Sequence, residues 1–309
     1  MNCRRIRFAT TVLISAFGGL AVTPLQAASI PFNWALNYSY NPNAANTFDT
    51  EQTLNSAPAT PATSTYSQSG SWGSVSGYAS ANLATGELKL RSSATNGDGT
   101  AAPYMQTNAI FGDSFTTTAT SGSPYTWNGS SATFNLALTG TLNGVDASSN
   151  AGAFVILMIL NKGTLDPGQP LIGSVNTKQY FLWNLGNPTL QLYYTNPQGQ
   201  SQALTTTYSY TSLPPTISAT FAPGGDFDWA LLLGASGQEM NPGDSFDVDL
   251  SHTLTLSYVG PEGGITASES GQFGNITSRN GTVPEPSALA LLGLGLAGLA
   301  YKRRGKGSQ

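Results

Sequence analysis

The tetrapeptide Gly-Asp-Ser-Phe occurs twice, at Gly112–Phe115 and Gly243–Phe246, and Asp249-Leu250-Ser251-His252 sets an aspartate three residues before a histidine. A serine with an aspartate and a histidine is the material of an esterase. Ser114 would attack an acyl carbon and His252 would take its proton. That chemistry sits on an α/β scaffold whose nucleophile follows a first strand near the mature N-terminus. Here both copies run into β-type sequence and no helix-rich region surrounds them, so each reads as a Gly-Asp turn entering a strand. His252 is the only histidine, which removes multi-histidine metal sites and leaves few acid–base designs. We place it at an exposed or edge position beside Asp247 and Asp249. Carboxylate pairs of the glycosidase kind stay open, but no spacing selects one pair.

The acids crowd late in the chain, at Asp226, Asp228, Glu239, Asp244, Asp247 and Asp249. Calcium takes several oxygens from carboxylates and loop carbonyls, and "PGGDFD" and "NPGDSFDVD" hold both. The candidate ligands are Asp226, Asp228, Asp244, Asp247 and Asp249, and calcium is the one cofactor that the composition leaves open. No EF-hand or nonapeptide repeat is present. The competing reading is a solvated acidic strand face, which also discourages edge-to-edge pairing. The aromatics Trp34, Tyr38, Tyr40, Trp72, Tyr78, Trp127, Trp183, Tyr193, Tyr194, Tyr208, Tyr210 and Trp229 fit core and cross-strand pairs. Two or more lying coplanar and exposed would instead make a glycan-stacking surface.

The elements that must hold these residues are strands. "ATFNLALTGTL" (132–142) alternates apolar and polar with the period of a half-buried strand. "GAFVILMIL" (152–160) is continuously apolar, as in a strand buried on both faces. "KQYFLWNLG", "TLQLYYT", "PTISATFA" and "FDWALLLGA" follow. "DSFDVDLSHTLTLSYVG" then places Phe246, Val248 and Leu250 on one side. Gly, Asn and Pro punctuate these runs, and no amphipathic helix of useful length interrupts them. Residues 56–71, "SAPATPATSTYSQSGS", lack periodicity and read as a flexible loop. The pattern predicts an all-β domain, a β-sandwich or jelly roll, over residues 28–282.

Charge and cysteine usage narrow the partners. Charged residues make up 9% of the 309. Residues 28–283 carry five basic residues against fifteen acids, a net charge of −10, while the remaining seven bases lie at the two ends. An acidic surface repels phosphate backbones, so nucleic acid is excluded as a partner. The single cysteine, Cys3, precedes the first apolar run. Removal of that leader would leave no disulfide, thiolate metal site or cysteine nucleophile.

Both ends read as addresses. Residues 1–27 show three arginines, an apolar stretch from Ala9 to Val22 and the small-residue site Leu25-Gln26-Ala27. This is the plan of a secretory signal peptide, expected as a helix, with cleavage after Ala27, or alternatively Ala28, by signal peptidase following Sec-dependent export. The closing stretch 283–309 begins with Val283-Pro284-Glu285-Pro286-Ser287. An apolar run over 288–301 follows, then a basic stub over 302–306 that includes Lys302, Arg303 and Arg304. As a helix, the run would be about 21 Å long against a hydrocarbon core of about 30 Å, short but able to span with snorkelling and local thinning. The basic cluster would stay in the cytoplasm and the β-domain outside.

Those three parts together resemble a PEP-CTERM sorting signal. The resemblance implies that Pro284, Glu285 and Pro286 are the recognition element of exosortase, a membrane-embedded transpeptidase-like enzyme. The tail would hold the protein transiently in the inner membrane of a Gram-negative bacterium until it is removed. The product would then go to the cell surface or extracellular matrix, in a host that makes exopolysaccharide. "ASANLATGELKLRSSA" (79–94), "FGDSFT" (111–116), "FNLALTGTL" (134–142), "DVDLSHTLTLSYV" (247–259) and "GITASESGQF" (264–273) are similar to a layout that recurs upstream of such tails. That likeness implies an all-β secreted domain and no activity. The expected role is structural or adhesive and non-enzymatic, with a carbohydrate-binding module as the alternative and a secreted hydrolase the remotest reading.

Overall fold

The computed structural model describes residues 11–13, 31–41, 47–99, 102–145, 150–165, 177–187, 191–195, 201–203, 208–239, 241–272 and 275–277. The described chain is all β, with no helix. Its strands are β1 Thr11–Leu13, β2 Phe32–Asn41, β3 Thr47–Asn55, β4 Ala62–Gly70, β5 Gly73–Asn82, β6 Glu87–Asn96, β7 Tyr104–Ala119, β8 Ala132–Leu138, β9 Thr141–Asn143 and β10 Ala151–Asn161. They continue with β11 Thr177–Leu185, β12 Gln191–Thr195, β13 Ser201–Ala203, β14 Tyr208–Tyr210, β15 Thr216–Phe221, β16 Phe227–Gln238, β17 Ser245–Val259, β18 Gly264–Ser268 and β19 Asn275–Thr277.

Two sheets pack face to face, the sandwich that the strand pattern predicts. The nine-stranded sheet runs β14-β11-β10-β16-β7. Beyond β7 it divides, with β2 and β3 along one half and β18 and β19 along the other. The seven-stranded sheet runs β15-β8-β17-β6-β5-β4, with β9 also on β17. A small sheet of β1, β12 and β13 stands apart.

Alternation assigns the faces. Phe246, Val248 and Leu250 are buried while Asp247 and Asp249 turn outward on β17, as the sequence predicts. The apolar run of β10 serves two clusters. Ala153, Val155, Leu157 and Ile159 face the inter-sheet core, and Phe154, Ile156, Met158 and Leu160 face the other side. Aromatic rings zip the sheets together. Phe115 meets Tyr258 at 4.8 Å and Phe134 meets Trp229 at 5.0 Å across the sheets, while Phe134 also stacks on Phe221 of the adjacent strand β15 at 5.6 Å. Such pairs add about 0.5–1.5 kcal/mol each beyond their burial.

On the β2–β5 side the sheets are joined by polar groups instead. Asn37 donates to Ser64 Oγ at 2.9 Å and accepts from Thr107 Oγ1 at 3.0 Å, and Ser64 Oγ donates to the Glu51 carbonyl. Asn33 accepts the Leu83 amide at 2.7 Å and donates to the Thr60 carbonyl. Gly77 lets the layers approach here: a Cβ at this position would lie 2.1 Å from Met105 Cε and 2.2 Å from Asn37 Oδ1.

Four expectations are corrected. Residues 62–70 are not part of a flexible loop but the regular edge strand β4. Its inward residues Ser64, Tyr66 and Gln68 bond to β3 through polar atoms, so no apolar period marks it. The first Gly-Asp-Ser-Phe is no turn, since Gly112–Phe115 lies inside β7. The second copy does turn at Gly243, φ 86°, before β17. The strand expected over 132–142 divides into β8 and β9 at Gly140, where a Cβ would lie 2.2 Å from the Asp249 carbonyl oxygen. Of the expected leader helix, only Thr11–Leu13 is described. It is extended and pairs in parallel with Gln191–Tyr193, as β-branched Thr11 and Val12 favour. The expected tail helix over 288–301 lies outside the described residues, among which no helix is long and apolar enough to cross a membrane.

Candidate functional site

The residues that looked catalytic are held in the framework. Alternation along β7 turns Phe111 and Phe115 to the inter-sheet core and Ser114 to the opposite face. There Ser114 Oγ donates to Asp228 Oδ1 at 2.5 Å, and Asp228 Oδ2 accepts the Thr164 and Leu165 amides at 2.9 and 3.0 Å. Asp228 is fully buried and ties β7 and β16 to the turn that follows β10. His252 belongs to β17 in the other sheet. The register of β17 shifts between Leu250 and Leu254, so alternation along the strand is broken there. The serine–histidine reading loses its geometry, because Ser114 faces away from the sheet that carries His252.

Asp113 fills the break where β2 ends along β7 and β18 begins. It accepts Ser270 Oγ at 2.6 Å, the Ser270 amide at 3.2 Å and the Ser114 amide at 2.8 Å. Burial pushes its carboxyl up to about 6 against the lowering effect of these bonds. Glu239, at the end of β16, is pushed up to about 7 by burial and then by nearby Asp244.

The five aspartates weighed for calcium are dispersed. Asp226 accepts the Thr117 amide at 3.0 Å, and Asp228 closes the clamp just described. Asp244 accepts from Asn241 Nδ2 at 2.6 Å in a turn. Asp247 pairs with Arg91 at 3.2 Å and Asp249 accepts from Ser251, both in the seven-stranded sheet. Among the described residues, no three His, Cys, Asp or Glu side chains group to hold a metal. The outward Asp247 and Asp249 fit the solvated-face reading.

The aromatics divide as expected, with Trp34, Trp72, Trp127, Trp183 and Trp229 all buried. A coplanar ladder does form at one edge of the nine-stranded sheet. Phe181 and Trp183 lie 5.8 Å apart at 11°, and Trp183 and Tyr208 lie 5.9 Å apart at 10°. Only its last member is open, Tyr208 being 44% exposed.

The accessible surface with the most distinctive chemistry is the outer face of β4, β5 and β6. Register sets Ser67, Ser76 and Ser93 in one row, Ser69, Ser74 and Thr95 in the next, and Thr63 beside Ser80 in a third. Tyr78 stands between Thr65 and Arg91. The charges of this face satisfy one another, Lys89 with Glu87 at 3.2 Å and Arg91 with Asp247. Between these ion pairs lies an array of hydroxyls, each able to donate and to accept. The sequence held part of this signal in its Ser-rich alternation, but Thr63, Thr65, Ser67 and Ser69 fall in the stretch 56–71 that reads as loop.

Ala27, Pro284, Glu285, Pro286, Lys302, Arg303 and Arg304 lie outside the described residues. Residues 282–304 match the family model of the PEP-CTERM protein-sorting motif. The motif implies export, transient membrane anchoring and exosortase as the processing partner. No curated protein matches the chain. Among solved structures, the crystal structure of endoglucanase 3 of Trichoderma harzianum, from family GH12, is similar at a TM-score of 0.27 and 12% identity, over 65% of this chain and 91% of that one.

Proposed function

We propose that this chain, a PEP-CTERM sorting-motif protein, is a structural and adhesive component of the cell surface or extracellular matrix that contacts exopolysaccharide without catalysis. The observation that carries the reading is the hydroxyl face of β4–β6, whose rows Ser67–Ser76–Ser93 and Ser69–Ser74–Thr95 set uncharged hydroxyl residues side by side across three strands. A neutral, polyhydroxylated polymer matches such a face: it trades hydroxyl bonds with water for hydroxyl bonds with protein and needs no counter-charge. A non-catalytic role is supported by the bonding of Ser114 and Asp228 to each other and to the backbone of the β10 turn.

The test is retention of the processed protein on immobilised exopolysaccharide from the producing organism. Ser76→Val and Ser93→Val together keep strand propensity but remove hydroxyls from adjoining strands. The expected outcome is about a tenfold loss of retention, while Thr216→Val on the opposite edge leaves it unchanged. Binding should persist in salt, since exposed charges are not its source. Unchanged retention of the double variant, or elution by moderate salt, would contradict the reading. The ladder Phe181–Trp183–Tyr208 favours a second reading, a carbohydrate-binding module that stacks a sugar ring on Tyr208. In that case Tyr208→Ala, and not the serine pair, would abolish retention.

A further inference from the structure

We propose that the free edge of β4 is a self-association surface through which two copies of the protein join edge to edge in antiparallel register. β4 pairs with β5 along its whole length, from Ala62 opposite Ala81 to Gly70 opposite Gly73, with no register shift. Among the described residues nothing pairs with its other side. Alternate residues of an edge strand point N–H and C=O groups outward, a ready template for another strand. The template is rigidly held. Ser64 Oγ bonds to the Glu51 carbonyl, and Tyr66 Oη and Gln68 Nε2 bond to Asp49 at 3.0 and 2.9 Å.

Proteins that avoid such pairing blunt their edges with charge, proline, bulges or short length. Four other edges among the described residues carry those guards. β14 and β19 have three residues each, β3 carries Asp49 and Glu51, and β15 has six residues with Pro215 before it and Pro223 after it. β4 has nine residues, no internal proline and no bulge. No charged residue occurs anywhere from Gln52 to Gly86.

Charge and symmetry name the occupant as a second copy. The 28–283 region carries a net charge of −10, so two copies repel over most of their surfaces. The stretch 52–86 itself adds no charge to that repulsion, and the acid that touches β4, Asp49 of β3, lies behind its inner face, bonded to Tyr66 and Gln68. The register that pairs all of β4 with itself has its two-fold axis at Tyr66. It sets Thr63 opposite Ser69 and Thr65 opposite Ser67 on the outer face, hydroxyl beside hydroxyl, an accepted cross-strand pairing. It also sets Tyr66 beside its own copy. The hydroxyl rows of β4–β6 would then run unbroken from one molecule to the next, an isologous two-fold contact.

The experiment uses the processed protein from its host, in the absence of polysaccharide, so its outcome is independent of the adhesive reading. The chain has no cysteine beyond Cys3, so introduced thiols report alone. In the proposed register, residue 65 lies across from residue 67 of the second copy at about 4.5–5.5 Å between Cα atoms, within disulfide reach. Residue 65 lies about 7–8 Å or more from its own counterpart. A mixture of Thr65→Cys and Ser67→Cys proteins should therefore form a disulfide-linked dimer under mild oxidation, while neither alone does. Sedimentation should show a dimer for the unmodified protein and a shift of about tenfold or more toward monomer for Thr65→Lys with Ser67→Lys. The matched control, Ser218→Lys on β15, should leave the dimer intact. A monomer at all accessible concentrations, a dimer indifferent to the β4 lysines, or no cross-link in the mixture would overturn the proposal.

Discussion

Replacing Asp228 separates a structural clamp from a catalytic group. Its carboxylate receives one hydroxyl and two backbone N–H groups, and the bonds to Ser114 and Leu165 are buried. Asp228→Ala leaves those donors without an acceptor, at about 1–3 kcal/mol for each one buried. Relief of carboxylate desolvation returns part of the loss, so the net destabilisation should be about 2–4 kcal/mol. Asp228→Asn can keep all three bonds: its carbonyl accepts both amides, and its NH2 donates to Ser114 Oγ, which reverses its role. That variant should cost about 1–2 kcal/mol. Ser114→Ala removes one bond to a charged acceptor and should cost about 1.5–3 kcal/mol. Urea unfolding followed by tryptophan fluorescence measures all three, and Trp229 beside Asp228 is buried in the native core. The reasoning fails if Asp228→Asn is as damaging as Asp228→Ala. It also fails if Ser114→Ala leaves stability unchanged while abolishing hydrolysis of an ester substrate.

Three further outcomes are expected. Gly77→Ala drives a methyl group into Met105, Asn37 and Thr107 and should cost about 2–4 kcal/mol by overpacking and a weakened polar bridge, seen as a lower urea midpoint with an unchanged slope. Asn37→Ala breaks the bonds to Ser64 and Thr107 and should cost about 2–3 kcal/mol; a loss below about 0.5 kcal/mol would mean the bridge is dispensable. Asp113 and Glu239 are both raised by burial, to about 6 and about 7. The fold therefore favours their neutral forms. Their stabilising contribution is full below the ordinary carboxylate range and is lost as pH rises through 6 and 7. Melting temperature should fall over that window, and Asp113→Asn should flatten its lower part; a rise in the same window would reverse the sign of the argument.

The sandwich was legible where one face of a strand is apolar. β17 announces itself by Phe246, Val248 and Leu250, and β10 by a run that feeds two cores. β4 was not legible, because both its faces are polar. Ala62 and Tyr66 reach the inter-sheet core, but Ser64, Tyr66 and Gln68 bond through polar atoms to Glu51 and Asp49 on a neighbouring strand, and no apolar periodicity marks such contacts. Tertiary pairing also decided the fate of Gly-Asp-Ser-Phe. One copy was absorbed into a sixteen-residue strand with partners on both sides, and the other kept its turn at Gly243. The joining of Ser114 to Asp228 spans 114 positions and leaves no local trace. The sorting motif was fully legible, because its three parts are contiguous and need no fold to be recognised.

The account rests most directly on the fate of the tail. Intact-mass analysis of the protein, recovered from the surface fraction of its host and from an exosortase-deleted strain, tests it. The wild-type product should lack the residues that follow the Pro284-Glu285-Pro286 region. The deletion strain, and a Glu285→Ala variant in the wild-type strain, should retain the full tail in the membrane fraction. An identical, tail-free mass in all three would contradict the account.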